Sequence, residues 1–131
     1  MKQLNELYKS GDWKAEKHVP VIDCAEKVKA GDLIPVKVSV GKEQAHPNTT
    51  EHHIRWISVY FLADGENFPC QVGQFEFTAH GESTQGPNSG PVYTHHEVTC
   101  YIKISKPGTL FASSLCNIHG LWQSAKEIAI S

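Results

Sequence analysis

The sequence has a single methionine, Met1, and its four cysteines include no Cys-x-x-Cys pair. Without paired cysteines, a zinc ribbon or a rubredoxin-type tetrathiolate centre is excluded. Without a second methionine, the weak axial thioether of a blue-copper site is missing, because Met1 lies far from the C-terminal Cys-His pair. Clusters of Lys or Arg are also lacking. With 12 basic residues against 14 acidic ones and a net charge of −2, nucleic acid is not an expected partner. No apolar run approaches the roughly 20 residues of a membrane span, so no membrane association is expected. The opening stretch MKQLNELYKSGDW is polar, unlike a secretory signal, which points to the cytoplasm and to reduced thiols. Four cysteines in 131 residues are too few for a disulfide scaffold.

Histidine is what the chain has in excess. Eight are present: His18, His46, His52, His53, His80, His95, His96 and His119. Imidazole is the commonest protein metal ligand, so the excess prompts a search for a site. The length suits one domain, residues 1–131, with a core of useful size.

Short runs rich in β-branched and aromatic residues recur at 19–22, 33–40, 53–62, 68–79, 98–104, 109–115 and 125–130. Within 33–40, Ile34, Val36, Val38 and Val40 alternate with Leu33, Pro35, Lys37 and Ser39. Asp64-Gly65 and Pro107-Gly108 supply turn signals between runs. About seven strands with period-2 patterning and no long helical pattern predict an all-β, antiparallel β-sandwich. One short helix is possible near residues 2–9. Segments 41–52 and 80–93 do not fit as strands, and long loops in a compact domain tend to carry function or disorder.

Candidate ligands fall at strand ends and in those segments. EKHVP holds Glu16 and His18, HPNTTEHH holds His46, His52 and His53, and CNIHG holds Cys116 and His119. Neighbouring residues in a strand point to opposite faces, so His52 and His53 cannot both serve one metal from a regular strand; one is a ligand and the other a surface residue. A single histidine near a strand end is most often a polar surface residue, and His80, His95 and His96 are read so. Cys100 lies on the apolar stripe of its strand and belongs to the core, and Cys24 and Cys70 are read as packing likewise. Four imidazoles and one thiolate are too many ligands for a tetrahedral structural zinc site. Iron, which accepts five or six ligands and tolerates both donor types, fits best.

The stretches GDWKAEKHVPVI, HPNTTEHHIRW, TAHGES with GPN, and CNIHGLW closely resemble superoxide reductases of the single-iron neelaredoxin type, in order and across nearly the whole chain. The two-iron desulfoferrodoxin relatives carry a further tetracysteine domain that has no counterpart in these cysteines. The resemblance implies an immunoglobulin-like sandwich holding one non-haem iron. It implies His18, His46, His52 and His119 as equatorial ligands and Cys116 as the axial one. By the same resemblance Glu16 closes the sixth position in the ferric state and Lys17 stands beside the open site. The implied reaction is one-electron reduction of superoxide to hydrogen peroxide with a rubredoxin-like donor, by a homo-oligomer, most often a tetramer. Three departures from the usual pattern occur: Ala45, Leu115 and the pair His95-His96. A non-catalytic metalloprotein, an electron carrier or a redox sensor, is the alternative; an open sixth position beside Lys17 favours catalysis, because a carrier gains nothing from substrate access.

Overall fold

Alternation of apolar and polar residues decides the architecture strand by strand. The computed structural model describes residues 1–131 and contains eight strands. They are β1 (Pro20–Asp23), β2 (Lys27–Val28), β3 (Ile34–Val40), β4 (Ile54–Ala63), β5 (Cys70–Glu76), β6 (Glu97–Ile102), β7 (Gly108–Cys116) and β8 (Gly120–Ile130). One sheet has the order β1-β3-β6, the other β2-β8-β7-β4-β5. All pairings are antiparallel except the short match of β2 to β8.

On β3 the side chains of Ile34, Val36, Val38 and Val40 are buried, as their alternation predicts. They meet Ile57 and Val59 of β4, Leu110 and Ala112 of β7 and Ile128 of β8 in one core. That is the expected immunoglobulin-like antiparallel sandwich, with eight strands rather than about seven. The additional one, β2, is two residues long, too short to show any alternation. β8 starts five residues earlier than its apolar pattern suggests, because Leu121–Ser124 follow the register of β7. The expected N-terminal helix reduces to one 3₁₀ turn, Leu4–Glu6. No helix is long and apolar enough to cross a membrane.

Cys116 is buried in the core, and Cys24 and Cys100 pack partly buried against it. Cys70, read as a core residue, is exposed: it opens β5, the edge strand of the larger sheet. The irregular segments stay outside the sheets, apart from one bridge between His80 and Tyr93.

Candidate metal centre

The site forms at one end of the sandwich, where three separate parts of the chain meet. Strand parity places the sulfur: Leu110, Ala112, Ser114 and Cys116 share the buried face of β7, so Cys116 ends that strand pointing inward. The chain then reverses through residues 117–119 to Gly120, whose φ of +80° suits a residue without Cβ. This tight reversal brings His119 back over the sulfur, and its backbone N–H donates to Cys116 Sγ at 3.3 Å.

The second part precedes β1. Ala15 and Glu16 donate their N–H groups to Asp12 O, forming a turn that presents Glu16, Lys17 and His18 in succession. Ser114 Oγ donates to His18 O at 3.4 Å, and the His18 ring stacks on Trp122 with centroids 4.9 Å apart. The third part is the loop after β3. Gly41 has φ +83°, and a Cβ there would lie 2.6 Å from His46 N, so only glycine lets the chain turn tightly enough to seat His46. Asn117 then fastens residues 51–53 to the β7–β8 hairpin. Its N–H donates to His53 O, its Oδ1 accepts the His53 N–H at 2.8 Å, and its Nδ2 donates to Glu51 O at 2.8 Å.

Four imidazoles consequently close a ring. Successive centroids lie 5.0 Å apart for His18–His46, 4.9 Å for His46–His52, 5.0 Å for His52–His119 and 4.7 Å for His119–His18, with a His18–His52 diagonal of 6.4 Å. Ligand atoms of His18, His52, His119 and Cys116 all lie within 4.8 Å of one another. His18 Nε2 is 3.1 Å and His52 Nε2 is 3.2 Å from His119 Nδ1.

His46 settles which kind of metal suits the set. Three imidazoles and one thiolate would match tetrahedral zinc. His46 Nδ1 is tied to Pro47 O at 2.6 Å, whereas its Nε2 is buried with no partner in the protein. A buried polar nitrogen of this kind is costly unless something binds it, and a metal accepting a fifth donor would do so. Burial, opposed by Pro47 O and reinforced by His18, His52 and His96, pushes its pKa down to about 3, so the ring is neutral and able to ligate. Burial, with His119, His18 and Lys17, also lowers the pKa of His52. The donor set fits a non-haem iron.

Glu16 and Lys17 stand beside the ring. Glu16 Oε1 accepts from His18 Nδ1 at 2.6 Å and from His18 N at 3.0 Å. This bond holds the imidazole with Nε2 turned toward His119. Burial raises the Glu16 pKa, but the hydrogen bonds from His18 and the charges of His18 and Lys17 outweigh it, and the carboxylate titrates below its usual range. Lys17 is half-buried, and its charge acts on both Glu16 and His52. His119 is exposed and His52 half-buried, so the centre opens to solvent on that side.

The remaining histidines divide differently from the expectation. His95 is exposed, as read. His53, His80 and His96, read as surface residues, are buried at 7%, 2% and 4% exposure. His53 and His80 stack in parallel with centroids 3.5 Å apart, and backbone carbonyls take one nitrogen of each, Thr49 O for His53 Nδ1 and Phe77 O for His80 Nε2. His96 meets His46 edge to face at 5.8 Å. Sequence reasoning also passed over Asn117 and Trp122, although both lie inside the quoted CNIHGLW motif.

A sandwich that gathers imidazoles and a buried thiol at one end has the make-up of a metal-binding protein. The Desulfoferrodoxin family matches residues 10–125, and the chain belongs to that family. It is 60% identical over 128 residues to the neelaredoxin of Megalodesulfovibrio gigas, covering 98% of both chains. Identity to the superoxide reductase of Pyrococcus furiosus is 59% over 121 residues, covering 92% of this chain and 95% of the other. The fold superimposes on the reduced superoxide reductase (neelaredoxin) of Archaeoglobus fulgidus with a TM-score of 0.87 at 50% identity, covering 94% of this chain and 98% of that one.

Proposed function

We propose that this chain is a superoxide reductase: superoxide takes up one electron and two protons and leaves as hydrogen peroxide, with no dioxygen formed. The observation that carries the reading is the closed ring of four imidazoles over a buried thiol, open to solvent at His52 and His119. His18, His46, His52, His119 and Cys116 would hold one non-haem iron per chain, with Glu16 as a further carboxylate ligand of the oxidised state. When bound, that iron supplies the single electron from its ferrous form.

This chain's own residues do the rest. Lys17 attracts the anion locally although the protein as a whole is slightly negative, because screening limits the useful field to about 8–10 Å. The same ammonium orders the water that delivers the two protons. Glu16 and Pro47 O accept Nδ1–H from His18 and His46, which keeps each Nε2 free for the metal. The His119 N–H stabilises negative charge on Cys116 Sγ.

We further assign rubredoxin or a similar small redox protein as the donor that restores the ferrous state, a role in removing superoxide from the cytoplasm, and residues 1–131 as one domain. A homo-oligomer, by analogy a tetramer, is supported by an apolar hollow on the outer face of the larger sheet, lined by Tyr8, Tyr60, Leu62 and Phe111.

Purified protein is expected to contain iron and to gain a ferric–thiolate charge-transfer band on oxidation, absent in Cys116→Ser. Rapid mixing of the reduced form with superoxide should yield peroxide without dioxygen. Release of both products would make the protein a dismutase, and a native protein without iron would remove the reading.

A further inference from the structure

We propose that Asn88 is a positioning residue for this centre: from the outer loop 80–93 it latches the loop 46–52 and so sets where His52 stands. The inference rests on the assignment of His52 as a ligand and concerns a residue outside the imidazole ring.

Loop 46–52 belongs to no strand, so no sheet ladder holds it. Its turn closes on itself. Thr49 N–H and Oγ1 donate to His52 O at 2.9 and 3.3 Å, and His52 N–H donates to Thr49 Oγ1 at 3.0 Å. Such a closed turn has a defined shape but no defined place. Placement comes from two asparagines on different elements. Asn117 holds Glu51 O from the β7–β8 hairpin. Asn88 holds the same stretch from the loop 80–93. Its Oδ1 accepts the Thr50 N–H at 2.8 Å, its own N–H donates to Thr50 Oγ1 at 3.0 Å, and its Nδ2 reaches both Glu51 carboxylate oxygens at 3.1 and 2.9 Å. Thr50 Oγ1 in turn donates to His80 O at 2.5 Å, so the latch continues into the buried outer histidine.

Those four Asn88 bonds end on the two residues immediately before His52, and the one other, longer bond is from Tyr93 Oη to Asn88 Oδ1 at 3.4 Å. The backbone adds a second, independent sign. Asn88 has φ +60° and is the only non-glycine residue of the chain at positive φ. Asparagine tolerates this region better than most side chains, yet glycine would adopt it with less strain. An asparagine kept there is explained by what its amide holds. Residues in sparse backbone regions persist where their surroundings over-determine them, commonly beside functional sites.

The test compares cobalt(II)-loaded wild type with Asn88→Gly, which keeps the backbone conformation and removes the amide. Chelator competition reads affinity, absorption reads the d–d and thiolate-to-cobalt bands, and thermal melting of the metal-free forms controls for folding. Wild type should show the thiolate-to-cobalt band. Asn88→Gly should lose affinity about 10-fold, as outer-shell changes do, with shifted d–d bands and little change in metal-free melting. The pair Asn88→Asp with Glu51→Gln, which exchanges donor and acceptor between the two positions, should restore affinity. Wild-type affinity and spectrum in Asn88→Gly would overturn the latch while leaving the ligands intact. If Asn88→Gly does not fold, Thr50→Val with Glu51→Ala breaks every Asn88 bond to this stretch except the one from the Thr50 N–H, and unchanged cobalt affinity there overturns the latch too. A wild type lacking the thiolate-to-cobalt band would instead remove the ligand assignment itself.

Discussion

His52 and His53 are adjacent, carry the same side chain and lead separate chemical lives. His52 Nε2 lies 3.2 Å from His119 Nδ1 inside the ring of donors. His53 turns the other way, stacks on His80 and gives its Nδ1 to Thr49 O. The difference lies in the company each ring keeps. In the inner set, Glu16 and Pro47 O take the remote nitrogens of His18 and His46 and leave Nε2 aimed at a common point. In the outer pair, carbonyls anchor the rings, and no third or fourth donor converges with them. One arrangement is built to bind, the other to fill and brace the wall behind it.

Substitution of the two neighbours separates these roles most sharply. His52→Ala should cost on the order of 100-fold in metal affinity, since it removes one of the five donors proposed for the metal, while barely moving the melting of the metal-free protein. His53→Ala should reverse the pattern. Losing the stack and leaving a buried carbonyl without its donor should cost about 1–3 kcal/mol of folding stability with only a mild loss of affinity. Chelator competition and thermal melts read both, and equal effects at the two sites would erase the distinction.

Lys17→Ala leaves both sets of imidazoles in place and removes the charge at the mouth. The second-order rate with superoxide should drop about 10-fold and lose most of its ionic-strength dependence. Stopped-flow measurement across a salt series checks this; an unchanged salt slope would reject steering by Lys17.

Acid should reveal that inner and outer histidines share one property. Burial is the leading cause of the lowered pKa at His46, to about 3, at His96, to about 4, and at His80. An unfolded histidine takes its proton near 6.5, so below that pH the unfolded state binds more protons than the folded one. Stability of the metal-free protein should therefore be full above about pH 6.5 and decline as pH falls toward about 4. His96→Phe should make that decline shallower. Melting curves from pH 4 to 8 test the sign, and a metal-free protein that gained stability in acid would contradict it.

Glu16→Ala carries the smallest expected change in rate. Superoxide reduction should stay largely intact while the spectrum of the oxidised protein shifts. A variant unable to reduce superoxide would show that the carboxylate does more than orient His18 and play the capping part proposed for it.

Much of this was legible before any coordinates. The alternation Ile34, Val36, Val38, Val40 marked a core-facing strand, because period-2 patterning is a local consequence of the pleat. Parity also separated His52 from His53 without saying which one ligates, and the reading that put the non-ligating one on the surface failed, because His53 is buried. Exposure of a ring depends on what covers it, and His80, which covers His53, stands in another loop. Cys70 failed for a related reason: its apolar surroundings in sequence carry no sign that β5 lies at a sheet edge. The braces Asn88 and Asn117 showed no signal of their own role, since a hydrogen-bond partner many residues distant leaves no periodic trace, and Trp122 showed none because the ring it stacks on, His18, is equally remote.

By itself, then, the chain's order of residues determined the strands, the donor types and the class of metal that five such donors suit, because these follow from neighbours and from side-chain chemistry. Tertiary structure alone decided that His18 and His119, 101 residues apart, touch through their ring nitrogens, and which nitrogen of each imidazole remains free. Those outcomes depend on remote carbonyls, carboxylates and amides arriving at the same end of the sandwich, and only folding brings them there.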